Sequence, residues 1–82
     1  MDEHTVREKL RAFITRDLIR DAGYRLGDHE GIISGGLMDS FALAEFAVHV
    51  ENEFGVYIPD ADLTVAKMDT LDQMVARVMR DV

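Results

Sequence analysis

Apolar residues recur at helical spacing in three stretches of the chain, and each stretch predicts an amphipathic helix. Val6, Leu10, Phe13, Ile14 and Leu18 form one stripe across about residues 5–19, where Thr5 followed by Glu8 fits a capping box. Leu43, Ala47, Val50 and Phe54, joined by Phe46, form a second stripe. That helix is expected to begin at Asp39 or Ser40 and to end near Phe54, with Gly55 suited to the left-handed turn that closes it. Leu71, Met74, Val75, Val78 and Met79 give the third stripe, opened at Asp69 or Thr70, where Thr70 and Gln73 make another capping box. Val56, Tyr57 and Ile58 read as a short extended run, because Pro59 disfavours helix in the residue before it. A brief further helix is expected over about residues 60–65.

Residues 20–38 break the pattern. Gly23, Gly27, Gly31, Gly35 and Gly36 all fall there, which excludes regular helix over most of the segment. Tyr24, Leu26, Ile32, Ile33 and Leu37 are nonetheless apolar, so the loop is expected to pack onto the core. Loops of this length in compact proteins are often functional. The expected fold is therefore all-α, a small four-helix bundle of three main helices and one short one, with residues 1–82 as one domain.

Charge narrows the function. The net charge of −7 disfavours nucleic acid as a partner, since phosphate binding needs clustered Lys and Arg. No Lys or Arg occurs between Leu26 and Ala66, a stretch that carries Asp28, Glu30, Asp39, Glu45, Glu51, Glu53, Asp60 and Asp62. Such a one-signed middle attracts basic partner surfaces, although acidic side chains also serve solubility alone. There is no cysteine, which excludes disulfides and Cys-based zinc sites and fits a reducing compartment. No apolar run approaches the length of a membrane span. Met1-Asp2-Glu3-His4 lacks the basic-then-apolar order of a signal peptide, so a cytoplasmic location is expected, and the chain is expected to be a monomer.

Candidate chemistry concentrates in Gly36-Leu37-Met38-Asp39-Ser40-Phe41, where the glycine-rich loop meets the second helix. Asp39 or Ser40 can act simply as a helix cap, by accepting hydrogen bonds from free amides of the first turn. Ser40 can also be a modification site: a hydroxyl at a helix N-terminus is well placed to carry a phosphodiester, because the dipole and free amides stabilise negative charge there. The two readings are compatible if Asp39 caps and Ser40 is modified. Other chemistries fail on spacing. Asp60-Ala61-Asp62-Leu63-Thr64 begins like a calcium loop, but Val65 stands where glycine is needed and Leu71 where the bidentate glutamate belongs. His4, His29 and His49 match no zinc pattern, so no metal site is expected. No Gly-x-Ser-x-Gly elbow surrounds Ser40, and a chain of 82 residues leaves no room for a self-contained hydrolase; it is not expected to be an enzyme.

The segment Asp39-Ser40-Phe41 through Glu45, then Glu51-Asn52-Glu53-Phe54-Gly55-Val56, Ile58-Pro59-Asp60 and Leu71, resembles the acyl carrier protein family. The resemblance covers about residues 35–78. The family's hallmark is Asp-Ser-Leu at the start of the second helix, followed by an acidic helix, a Glu-Phe-Gly-type end and Ile-Pro. The resemblance implies that Ser40 receives 4′-phosphopantetheine from coenzyme A through a phosphopantetheinyl transferase, and that the arm's thiol then holds cargo as a thioester. Asp39 would assist modification. Phe41, Glu45 and Val48 would lie on the exposed side of the helix, where acyl- or aminoacyl-loading and transfer enzymes dock with basic surfaces; their spacing puts them on one face. Taken from the residues alone, Phe41 also reads as core packing, Val48 as a stray apolar residue and Glu45 as a solvated charge.

Phe41 in place of the usual Leu, His49 and Asn52 on the helix, and the longer stretch from Pro59 to Leu71 depart from housekeeping fatty-acid carriers. Gly36-Leu37-Met38-Asp39-Ser40-Phe41 and Ile58-Pro59-Asp60-Ala61-Asp62-Leu63-Thr64 look more like discrete carriers of specialised pathways, such as D-alanyl carriers and stand-alone carriers of polyketide or nonribosomal peptide assembly. The rival from another class is an unmodified acidic helical adaptor that binds a protein partner through the same helix.

Overall fold

The computed structural model describes all residues, Met1 to Val82, as helices joined by irregular segments, with no strand. Helix α1 spans Glu3–Phe13 and continues into a π-helical turn, Ile14–Leu18. Helix α2 spans Ala42–Phe54. A 3₁₀ turn at Asp60–Asp62 precedes the short α3, Val65–Met68, and α4 spans Leu71–Met79. The expected all-α bundle is present. Helix α1 packs on α4, and α3 leads into α4 and packs on its start.

The three predicted stripes supply most of the core. Val6, Leu10 and Ile14 from the first helix, Leu43, Phe46 and Val50 from α2, and Leu71, Met74, Val75 and Val78 from α4 are all buried. The loop and connectors complete it with Leu26, Ile32, Met38, Val56, Ile58 and Met68. Phe46 is among the largest fully buried side chains. Emptying such a site removes both transfer energy and packing contacts.

Boundaries differ from the sequence reading in three places. The first helix is capped by Asp2, whose Oδ1 accepts from the Thr5 amide at 2.8 Å, and the Thr5–Glu8 capping box does not form. Glu8 instead accepts from Arg11, one turn further on. An aspartate three residues earlier offers the same acceptor with a full negative charge for the helix dipole, so it takes the cap. The second helix begins at Ala42 rather than at Asp39 or Ser40, because residues 39–41 wind as a tighter turn with bonds from Ala42, Leu43 and Ala44 back to Asp39, Ser40 and Phe41. The short helix expected over residues 60–65 is two pieces. The 3₁₀ turn closes on Pro59 and Asp60, Thr64 is extended, and α3 starts only at Val65, where burial of Met68 anchors it. Gly55 closes α2 in the left-handed conformation at φ 69°, as expected, and the Thr70–Gln73 capping box is complete.

The loop is held down by one carboxylate. Asp69, just before α4, accepts from the amides of Ile33 (2.8 Å) and Ser34 (2.9 Å) through Oδ1, and from Ser34 Oγ (2.6 Å) through Oδ2. Its carbonyl also accepts from the Ile32 amide at 2.7 Å. Inside this tight turn a Cβ on Gly35 would sit 2.3 Å from the Gly31 carbonyl oxygen, so only glycine fits. Further ties come from the α1 side: Arg11 donates to the Leu26 carbonyl and to Asp28, while Arg7 pairs with Asp28 and Asp72.

Burial acts to raise the Asp69 carboxyl, but the hydrogen bonds from Ser34 and Ile33 outweigh it and hold the group below the usual carboxylate range. A carboxyl depressed on folding contributes stability that is present above its unfolded pKa and lost as pH falls through the folded one. Asp69→Asn is therefore expected to lower unfolding stability at neutral pH by about 1–3 kcal/mol and to flatten the acid limb of the stability–pH curve. Urea melts from neutral to acid pH check this; an unchanged acid limb would show that the carboxylate does not hold the loop.

Candidate functional site

The turn bearing Ser40 hangs between two buried anchors. Before it, Leu37 and Met38 donate their amides to the Ile32 carbonyl, and the Met38 side chain is buried. After it, Leu43 enters the core. Between the anchors Asp39, Ser40 and Phe41 are exposed. Asp39 takes the cap: its Oδ1 and its carbonyl oxygen both lie 3.2 Å from the Ala42 amide. That leaves the Ser40 hydroxyl free of the helix and open to solvent at the mouth of α2. Asp39 thus caps the turn, as one of the two expected caps, and Ser40 does not. An exposed hydroxyl at a helix N-terminus with no side chain over it fits a phosphodiester.

Helix α2 divides sharply into two faces. Leu43, Phe46 and Val50 point inward and are buried. Phe41 is 85% and Val48 61% exposed, which excludes core packing for Phe41 and puts both on the outer face with Glu45. Glu45 is common to two clefts. One, of about 350 Å³, is lined by Asp39, Phe41, Ala42 and Met38 from the Ser40 turn together with Leu18 and Arg20 from the end of the first helix. The other, of about 470 Å³, lies between Val48, Asn52 and a parallel stack of Phe13 on His49, whose ring centroids are 3.7 Å apart. The predicted residues Asp39, Phe41 and Glu45 thus meet around one hollow, and Val48 lies on the next one along the helix.

A third, smaller groove of about 250 Å³ runs between α2 and the segment after it, with Ala44, Ala47, Val48, Tyr57, Ile58 and Leu63 on its walls. Further along, Glu53 pairs with Lys9 at 2.8 Å, and that partner holds its carboxyl below the usual range. His49 is pushed the other way from most histidines with acidic neighbours: burial against Phe13 lowers it, and Glu53 and Asp17 only partly offset that.

Sequence reasoning missed Arg20 and Leu18 at the Ser40 turn and Asp69 under the loop. Nothing in the spacing joins residues 18–20 to 38–42. The only local signal was that Arg20 and Arg25 are the last basic residues before a long acidic stretch.

The chain matches the family model described as "Phosphopantetheine attachment site" over residues 8–78, and it belongs to that family. Members carry 4′-phosphopantetheine covalently, and the matched span includes the whole Ser40 turn and α2. No curated protein matches the sequence. Among solved structures, a chain from "Crystal structure of FAD-dependent dehydrogenase" superposes with a TM-score of 0.70 at 22% identity, over 83% of this chain and 96% of that one. At that identity the likeness shows a shared fold and carries no dehydrogenase chemistry across.

The two faces of α2 predict opposite responses to mutation. Phe41→Ser is expected to change unfolding stability by less than about 0.5 kcal/mol, as for exposed positions generally. Phe46→Ala is expected to cost about 3–5 kcal/mol. Asp39→Ala removes the cap and is expected to cost about 1 kcal/mol. Chemical denaturation of the three variants checks the order; a large loss at Phe41 would mean that this ring is packed in solution.

Proposed function

We propose that residues 1–82 act as one acyl or aminoacyl carrier domain, with Ser40 as the attachment point of the 4′-phosphopantetheine arm. The observation that carries this reading is the Ser40 hydroxyl, exposed at the mouth of α2 on a turn fixed by Met38, Asp39 and Leu43, inside a chain of the phosphopantetheine-attachment family. In the loading step the Ser40 oxygen bonds to the pantetheine-side phosphorus of the coenzyme A pyrophosphate, and the bond from that phosphorus to the bridging oxygen breaks. The Ser40 proton is lost and the nucleotide bisphosphate leaves, so no oxidant or reductant is needed. Asp39 holds the turn open by capping α2 and presents its carboxylate beside the reacting hydroxyl, where it can assist a transferase. The arm supplies a thiol that holds cargo as a thioester, which accounts for a carrier without cysteine.

Phe41, Glu45 and Val48 form the docking face in this reading. Two exposed apolar side chains supply contact area, and the carboxylate supplies attraction to a basic partner surface. The apolar groove between α2 and Tyr57–Leu63 gives a bound chain a place to lie. The departures at Phe41, His49 and Asn52 favour a specialised pathway of polyketide, nonribosomal peptide or related type over fatty-acid synthesis. A monomer in the cytoplasm agrees with the net charge of −7, with the lack of cysteine, and with the absence of any helix long and apolar enough to cross a membrane. The exposed Phe41 and Val48 also suit a second reading, an unmodified adaptor that docks a partner through the same face.

Intact mass distinguishes the two. Incubation with coenzyme A and a broad-specificity phosphopantetheinyl transferase is expected to add one phosphopantetheine to the parent and none to Ser40→Ala. No gain with several active transferases would favour the adaptor. Glu45→Lys is expected to slow loading about tenfold at low salt while leaving the melting temperature unchanged, with the difference shrinking as salt is raised. Equal rates at low salt would remove Glu45 from the docking face.

A further inference from the structure

Arg20 stands out on backbone, position and charge. It is the only non-glycine residue with a positive φ, at 64°. It follows the π-helical turn, where Ile19 donates back to Ile14 and Asp21 to Thr15, both at 2.8 Å. A left-handed residue is a common way to end a helix, but glycine or asparagine fills that role without penalty. What an arginine adds is a guanidinium, and Arg20 lines the cleft at the Ser40 turn together with both chain neighbours of Ser40, Asp39 and Phe41.

That cleft is otherwise acidic. Asp17, Asp39 and Glu45 line it, and Arg20 is its one cation. The arginines of the first helix are engaged, Arg7 with Asp28 and Asp72, Arg11 with Glu8 and Asp28, and Arg16 with Asp17; Arg25 is unpaired but does not line this cleft. Arg20 has no ion pair within the chain. A phosphodiester on Ser40 adds a further negative charge next to Asp39, and without a counter-cation the local field would push the arm away. A guanidinium fork matches the two free oxygens of a phosphodiester, and charge-assisted bonds of this kind are among the stronger ones. Leu18, Met38 and Phe41 complete the cleft with apolar surface suited to the two methyl groups that follow the phosphate in pantetheine.

We propose that Arg20 is a positioning residue for the arm: it pairs with the phosphodiester on Ser40 and seats the root of the arm in the cleft between the end of the first helix and the start of α2. This rests on Ser40 being the attachment point. The arm then leaves the protein in a preferred direction, along the outer face of α2, instead of sweeping freely about the serine.

Phosphorus NMR of the loaded protein tests this. Parent, Arg20→Lys, Arg20→Gln and Arg20→Gly would each be loaded with coenzyme A and transferase, and loading verified by mass. Lys and Gln keep the left-handed burden of arginine, while Gly relieves it, so the glycine variant tests the charge with the fold at no risk. The expected result is a ³¹P resonance that moves by more than its linewidth between low and high salt in the parent. The shift should be smaller in the lysine variant and absent in the glutamine and glycine variants. If the parent loads and all four proteins give the same resonance at both salt levels, the Arg20 contact does not exist and the carrier reading stands. If the parent does not load, the Ser40 reading fails and this inference with it. A parent resonance indifferent to salt, with apo-protein NMR showing the guanidinium bound to Asp17 or Glu45, would assign Arg20 to an internal ion pair and overturn the proposal.

Discussion

The Asp69 carboxylate is the constraint on which the placement of the site depends. A segment of nineteen residues rich in glycine has a large entropy to lose, and no regular hydrogen-bonding pattern helps it order. Three bonds from one carboxylate, with the Ile32 amide on its backbone, clamp the loop to the start of α4. Ile32 is thereby buried, its carbonyl receives Leu37 and Met38, and Met38 enters the core immediately before Ser40. The turn at the mouth of α2 is thus fixed from across the bundle, by a residue distant in sequence from the serine it positions.

Helix α2 separates a buried face from an exposed one. Its inner face, centred on Phe46, is fully buried, and its outer face leaves Phe41 and Val48 to solvent. Neither face contributes a nucleophile or a metal ligand set. In a phosphopantetheine-attachment family the reactive sulfur arrives with the prosthetic group. Unpaired charge at the site follows the same division. Lys9, Arg7, Arg11 and Arg77 sit in ion pairs that brace the bundle, whereas Glu45 and Arg20 stay free of them beside Ser40.

Much of this was legible along the chain. The buried sets of α1, α2 and α4 follow from periodicity, since a helix that must bury one stripe can do so only with residues three and four apart. Gly55 and the Thr70–Gln73 box were readable because capping is local chemistry within four residues. Where local signals competed, the reading slipped. Asp2 and Thr5 are both good caps, and Asp2 prevailed. Residues 60–65 contain helix-compatible residues throughout, and only the burial of Met68 moves the short helix onward to Val65.

The sequence by itself determined the all-α class, the three stripes, the acidic middle and the junction of loop and helix that holds Ser40, because each depends on neighbours within a turn or two. Tertiary structure alone decided what surrounds that serine. Whether Phe41 faces in or out, which carboxylate holds the loop, and which cation lines the cleft with the serine's chain neighbours depend on how the end of the first helix, the loop and the start of α4 meet. Those meetings join residues 18–20 to 38–42 and residues 32–34 to 69, and no spacing rule along one strand of sequence reaches across them.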